Sequence, residues 1–236
     1  MRSALPRGVL GALPRGVLGA VVLAAIMVAA SRARADAGKP EAKPDWARGL
    51  VLASAVGIAD RHAPSPIAAR GPARRAAEEA ARKQLAAALP ALPLAEGGTL
   101  AAKLADAAVK ARVDRAVAAA LVVDAEPSTD GSWNVTLGVP IEAIRQALAG
   151  PRPVPASDSE GPEIVVVNLA VGNRPVAPAI GYKLGQLAAP TIWVKDVPAW
   201  AKDAPRVSAR AGKSGVLELT DPKGSESTLW VIVSPR

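Results

Sequence analysis

The chain has 236 residues, of which 50% are hydrophobic and only 3% aromatic, and its formal net charge is +8. It contains no cysteine, which excludes a disulfide framework, a thiolate metal site and a lipid-bearing N-terminal cysteine. With His62 as its single histidine, a zinc site would need three or more carboxylates, so we expect no metal and no cofactor.

Residues 1–35 have the pattern of a secretory signal peptide. A basic start contains the octet ALPRGVLG twice in tandem over Ala4–Gly19, and the uncharged run Val17–Ala30 follows. Ala33 and Ala35 form a small-x-small cleavage site. The apolar run is shorter than the about 20 residues that a membrane span needs. This favours a cleaved signal peptide over the alternative, an uncleaved anchor. The pattern predicts export to the bacterial periplasm, where a partner could hold the protein at the outer membrane.

Removal of residues 1–35 lowers the net charge of the chain. They hold five arginines and no acid, so the net charge falls to +3, with 24 basic and 21 acidic side chains. This balance and the scarcity of aromatic residues argue against nucleic-acid binding, which needs a basic surface and stacking side chains. The remaining 201 residues suffice for one or two small domains.

The first half of the exported chain predicts an α+β module over residues 46–149. Residues 36–45 are polar and contain prolines, which predicts a flexible leader. A β-branched run predicts a strand over Leu50–Ile58. A helix is predicted over Pro72–Leu89, ended by Pro90. Its predicted packing face is Ala73, Ala76, Ala77, Ala80, Ala81, Leu85, Ala88 and Leu89, and its predicted ion pairs are Arg74/Glu78, Arg75/Glu79, Glu78/Arg82 and Glu79/Lys83.

A second helix is predicted over Thr99–Ala111. The stretch from Val113 predicts a hairpin, with one strand to Ala125, a turn at Asp130-Gly131 and a second strand over Trp133–Val139. A short helix over residues 141–148 closes the module. The fold class is therefore α+β, with helices packed on a small mainly antiparallel sheet.

The second half is predicted to be β-rich and separated by a linker. Residues 150–162, GPRPVPASDSEGP, are rich in proline and small polar residues, which predicts a proline-rich linker. Short β-branched runs in residues 163–236 predict a small mainly antiparallel sheet that could continue the first sheet. The predicted strands are Glu163–Val171, Thr191–Val194, Arg206–Arg210, Val216–Leu219 and Thr228–Val233.

Few residues carry a catalytic pattern. No Gly-x-Ser-x-Gly is present, and His62 lies in a proline-broken segment, so we interpret it as an ordinary loop residue. The fragment Gly212-Lys213-Ser214 resembles the end of a phosphate-binding loop, but Val207 stands where that loop needs glycine. We expect a turn between strands there. Asn134-Val135-Thr136 has the form of a glycosylation site but lies in a predicted strand.

The tryptophans are the remaining candidates for a binding surface. Three of the five lie in predicted strands, where packing in the core is expected, whereas Trp200 lies in a loop and is expected to be exposed. Trp200 and Trp193 are the candidate ligand-binding residues, since indole faces stack on sugar rings and on protein partners.

The order of helix and hairpin between Gly57 and Leu148 resembles a bacterial envelope family. ARRAAEEAARKQLAAAL, ARVDRAV and STDGSWNVTLGVPIEAI are similar to segments of the family named for a twenty-kilodalton surface lipoprotein, which includes flagellar outer-membrane assembly factors. The resemblance implies an α+β module that works by assembly or interaction, without catalytic residues. The chain departs from the family's lipoproteins in having no cysteine for a lipid anchor.

These observations predict an exported, alanine-rich, non-enzymatic envelope protein that acts by protein interaction or assembly in the periplasm. The alternative is a cell-wall glycan-binding module that uses exposed tryptophan. A hydrolase is the third class, and it requires His62 in a cleft beside a serine and a carboxylate.

Overall fold

The computed structural model describes residues 42–151, 163–169, 176–185, 187–219, 224–225 and 227–234. The predicted signal peptide, most of the predicted leader and residues 152–162 of the predicted linker lie outside them. The helices are α1 (Pro66–Ala88), α2 (Leu100–Lys103), α3 (Ala107–Ala118) and α4 (Ile141–Ala149). The strands are β1 (Lys43–Asp45), β2 (Leu50–Gly57), β3 (Leu121–Pro127), β4 (Trp133–Pro140), β5 (Ile164–Leu169), β6 (Lys183–Leu184), β7 (Thr191–Val194), β8 (Arg206–Ala211), β9 (Val216–Leu219) and β10 (Leu229–Val233).

The first sheet has the order β1-β2-β4-β3, and all its pairs are antiparallel. Alternate residues of β2 and β4 are buried under α1, which is the period of two that a half-covered sheet requires. The predicted α+β class and the Asp-Gly hairpin are confirmed. The predicted flexible leader is wrong at its end, because Lys43–Asp45 pairs with β2 through backbone groups that composition does not report.

Helix α1 starts six residues earlier than predicted. Ser65 is its N-cap, with Oγ accepting from the Ala68 amide at 3.2 Å, and Pro66 occupies the first turn. The helix continues through Pro72, where one hydrogen bond is lost but Ala69 and Ala73 remain buried. Three of the four predicted ion pairs form, all except Arg75/Glu79, and Ala76 is exposed rather than packed.

The predicted second helix is two helices. The first, α2, ends at Lys103, and Asp106 caps α3, because its Oδ1 accepts from the amides of Ala108 at 2.7 Å and Val109 at 3.2 Å. Consequently VDRAVA belongs to α3, and the prediction that it enters the hairpin strand is wrong. The predicted closing helix is confirmed as α4.

The second sheet has the order β6-β9-β8-β5-β10-β7 and is mainly parallel. Among the described strands of this second sheet, only β8 and β9 pair antiparallel, so the predicted antiparallel C-terminal sheet is wrong. The second sheet also does not continue the first. The central strands β5 and β10 carry continuous buried runs, Val165–Val167 and Trp230–Ile232. Such runs are typical of parallel strands covered on both faces, but strand patterns alone do not give direction.

The turn Trp46–Gly49 joins the two sheets. Trp46 packs against the cores of both, and its carbonyl oxygen accepts from the Trp193 amide at 3.0 Å. A second join lies at Ile180, whose carbonyl oxygen accepts from the Ala95 amide at 2.9 Å. No helix in the described part of the chain is both long and apolar enough to span a bilayer.

Candidate interaction site

The five tryptophans have different environments. Trp230 and Trp193 are 0% and 4% exposed, so Trp193 has no free ring face for a ligand, and its role as a candidate binding residue is corrected. It packs instead on Tyr182, with ring centroids 5.1 Å apart. Trp133 lies under the Arg74 guanidinium at 5.3 Å. Trp200 is 57% exposed, which confirms the predicted exposure.

A short 3-10 turn, Ala199–Ala201, holds Trp200 at the surface. Pro198 precedes this turn, and its carbonyl oxygen accepts from the Ala201 amide at 3.0 Å. Ala201 is fully buried with Val166 and Val231 on one face of the second sheet. Because the neighbouring residue is anchored in this core, the backbone of Trp200 is fixed while its indole remains exposed.

Trp200 borders a shallow cavity of about 550 Å³ between the two sheets. We call this surface the Trp200 groove. Leu50 and Val123 come from the first sheet, and Ile192 and Leu229 come from the second. The groove is formed by Ala47, Arg48, Leu50, Val123, Ile192, Trp200 and Leu229.

A β-bulge places Val123 in the groove. The register of β3 against β4 shifts between Val122 and Asp124, so Val123 is the extra residue. Its side chain lies over Gly138, where an added Cβ would be 2.9 Å from Val123 Cγ2. The groove thereby gains a valine from an edge strand.

Exposed apolar side chains continue from the groove along β3. Leu121, Val122 and Val123 are 55%, 47% and 38% exposed, and β3 is the edge of the first sheet. Contiguous exposed apolar residues on a folded surface are typical of an interaction site. Of these three residues, Val123 is the one that lines the groove.

The polar chemistry of the groove is sparse. Arg48 is its one charged lining residue, and the nearest carboxylate oxygen, of Asp45, is 3.9 Å from the Arg48 Nε. The remaining lining side chains are apolar, so the groove supplies hydrophobic contact, an indole face and one cation. It does not offer an array of hydrogen-bonding side chains.

The other sequence candidates lie elsewhere. His62 is exposed in a turn, with its amide donating to Asp60 Oδ1 at 2.9 Å. Residues 212–215 form the expected turn between β8 and β9, and Asn134 lies in β4 as expected. The described ranges contain no group of three or more histidine, aspartate or glutamate side chains placed so that they could hold a metal ion.

Sequence reasoning identified Trp200 but missed the residues that surround it. Leu50, Val123, Ile192 and Leu229 have the appearance of ordinary strand residues, and only the packing of the two sheets brings them together. No protein-family model matches this chain, and no curated protein matches it. The resemblance to the envelope lipoprotein family therefore stays a prediction.

Proposed function

We propose that this chain is a binding protein whose Trp200 groove receives an apolar segment of a protein partner. The observation that carries the proposal is a 57% exposed indole fixed beside an apolar groove. Tryptophan and arginine are the residue types that most often dominate binding energy at protein interfaces. Trp200 and Arg48 both line the groove and supply these two residue types.

A protein partner fits the groove better than a cell-wall glycan does. A sugar stacks on an indole through one face but also presents hydroxyls that must be hydrogen-bonded when they lose water. Arg48 is the only charged lining side chain, and the second tryptophan predicted for a sugar platform is buried. An apolar peptide side chain needs neither hydrogen-bonding partners nor a second exposed tryptophan.

The setting of this interaction is part of the proposal. The signal-peptide pattern of residues 1–35 supports action in the periplasm, and the resemblance over Gly57–Leu148 supports a role in envelope assembly. In this account the α+β fold is a scaffold that presents the groove, and the protein acts by binding rather than by catalysis.

Site-specific photocrosslinking in the native host tests the proposal. p-Benzoylphenylalanine replaces Trp200 in the full chain, and the matched control carries it at Ile67, which is 74% exposed on α1 outside the groove. We expect a discrete protein adduct from position 200 that position 67 does not give. Equal adducts from both positions would overturn the proposal.

A second arm tests the glycan alternative. Purified peptidoglycan is incubated with the wild-type chain and with Trp200→Ala. We expect no retention that depends on Trp200. If peptidoglycan retains the wild-type chain but not Trp200→Ala, the result would support the glycan hypothesis and contradict a protein partner at this groove.

A further inference from the structure

A second cavity, of about 300 Å³, lies where the helices of the first module meet the second sheet. It is separate from the Trp200 groove and shares no lining residue with it. We call it the basic cleft. Its floor and wall include Leu94, Val109, Leu148, Ile180, Lys183 and Ser214.

Three cations and two carboxylates set the charge of the basic cleft. Arg145 lines it but is held by Glu142, with Nε and Nη2 at 2.7 and 2.6 Å from the two carboxylate oxygens. Lys103 also lines it and pairs with Glu96 at 2.5 Å. Lys183 has no ion-pair partner among the residues that the structure describes. Among the described residues, one positive charge of the cleft is thus left without an ion-pair partner.

The floor of the cleft is apolar. Leu94 and Ile180 form an isolated β-bridge at its base and are 7% and 2% exposed, whereas Val109 and Leu148 are partly buried. An apolar chain would therefore lose water mainly against Val109 and Leu148. Ser214 also lines the cleft, with φ +53°, and it is the one residue other than glycine with positive φ in the described part of the chain. Such backbone is costly for serine, and strained residues of this kind cluster at active sites and ligand-binding positions.

We infer that the basic cleft binds a small amphipathic monocarboxylate. The carboxylate meets Lys183 and shares Lys103 with Glu96, and the aliphatic tail covers Val109 and Leu148. A single uncompensated cation matches one negative charge better than a phosphate monoester, which carries between one and two. The volume is at the lower end for small-molecule sites, so the tail is short.

Titration of the full chain with octanoate, followed by two-dimensional amide NMR, tests the inference. We expect saturable shifts at Lys183, Ile180 and Ser214, whereas acetate and octanol each bind at least about tenfold more weakly because they lack the tail or the charge. Absence of saturable shifts up to the aggregation concentration of octanoate, or equal binding of octanol, would overturn it. Tighter binding of octyl phosphate would overturn the assignment of a carboxylate.

Two exposed charge variants separate binding from folding. Lys183→Gln should weaken octanoate binding at least about fivefold, and Glu96→Gln should strengthen it about twofold or more because Lys103 loses its competing partner. Lys202→Gln, an exposed lysine outside the cleft, is the matched control and should leave binding unchanged. Unchanged binding in both Lys183→Gln and Glu96→Gln would contradict the inference even if octanoate binds.

Discussion

Gly57 of β2 lies directly against Ala73 of α1. A Cβ added at Gly57 would be 1.8 Å from the Ala73 carbonyl oxygen and 2.9 Å from the Ala77 amide nitrogen, so the strand and the helix touch backbone to backbone. The hairpin turn makes a similar approach, since a Cβ at Gly131 would be 2.6 Å from the Pro66 carbonyl oxygen. These two glycines let the alanine-rich helix settle on the sheet without large side chains between them.

Replacement of Gly57 by alanine should destabilise the protein. The new methyl group has no space against a helix backbone, and overpacking of this kind costs about 1 to 3 kcal/mol or more. Gly71→Ala is the matched control, because Gly71 lies in the same helix with its nearest contact, Arg75 Nη1, at 3.8 Å. Gly71→Ala should stabilise by about 0.5 to 1 kcal/mol. Urea denaturation followed by circular dichroism measures both, and equal effects would contradict the packing.

Trp193 and Trp200 should differ in their effect on stability. Trp193→Ala empties a buried site in the second sheet and should cost about 3 to 5 kcal/mol of unfolding free energy. Trp200→Ala removes an exposed indole and should cost less than about 1 kcal/mol. Thermal unfolding followed by circular dichroism compares them. A large loss of stability in Trp200→Ala would mean that the indole packs in the core rather than lying at the surface.

The hairpin turn should make a contribution to stability that depends on pH. The Asp130 carboxylate accepts from the Ser132 amide at 2.9 Å and from its hydroxyl at 3.1 Å, and these bonds lower the pKa of Asp130, with the backbone bond as the main cause. A lowered pKa means that this stabilisation is complete above the unfolded pKa of about 3.9 and is lost as the pH falls through the folded value. Asp130→Asn should therefore be less stable than wild type at pH 7, with a difference that vanishes in acid. Denaturant midpoints across this range measure it, and a constant difference would refute the charge argument.

Ser214→Gly should stabilise the fold. Serine with φ +53° adopts the left-handed region, which costs a residue with a Cβ about 1 kcal/mol and costs glycine almost nothing. Gly215 follows with φ +73°, so the turn already uses one glycine for this purpose. Glycine also makes the unfolded chain more flexible, which offsets part of this gain, so an increase of at most about 1 kcal/mol in unfolding free energy is expected. A decrease would show that the Ser214 side chain makes a contact that holds the turn.

Local signals in the sequence predicted most of the first module. The alanine periodicity of α1 and the Asp130-Gly131 turn are properties of neighbouring residues, and both appear in the structure. The wrong predictions concern features that depend on contacts between residues distant in the sequence. Ala69 and Ala73 keep the helix intact through Pro72, and the burial of Val165–Val167 on both faces belongs to a parallel sheet rather than the predicted antiparallel one.

The binding surface could be predicted only in part for the same reason. A tryptophan among prolines and charges in a loop indicates exposure, and Trp200 is exposed. The groove beside it needs the bulge at Val123 and the approach of Ile192 to the first sheet, and neither has a signal in the local sequence. A surface formed between two sheets can be identified only from the packing of both sheets.

The central claim is that the Trp200 groove itself contacts the partner. The most direct measurement is the adduct yield from the photocrosslinker at position 200 in the Val123→Asp and Val122→Asp backgrounds, with folding checked by circular dichroism. Both valines are partly exposed on β3, but only Val123 lines the groove. A charge in an apolar contact should reduce the yield at least about fivefold for Val123→Asp and less than about twofold for Val122→Asp. Equal yields in the two backgrounds would contradict the account.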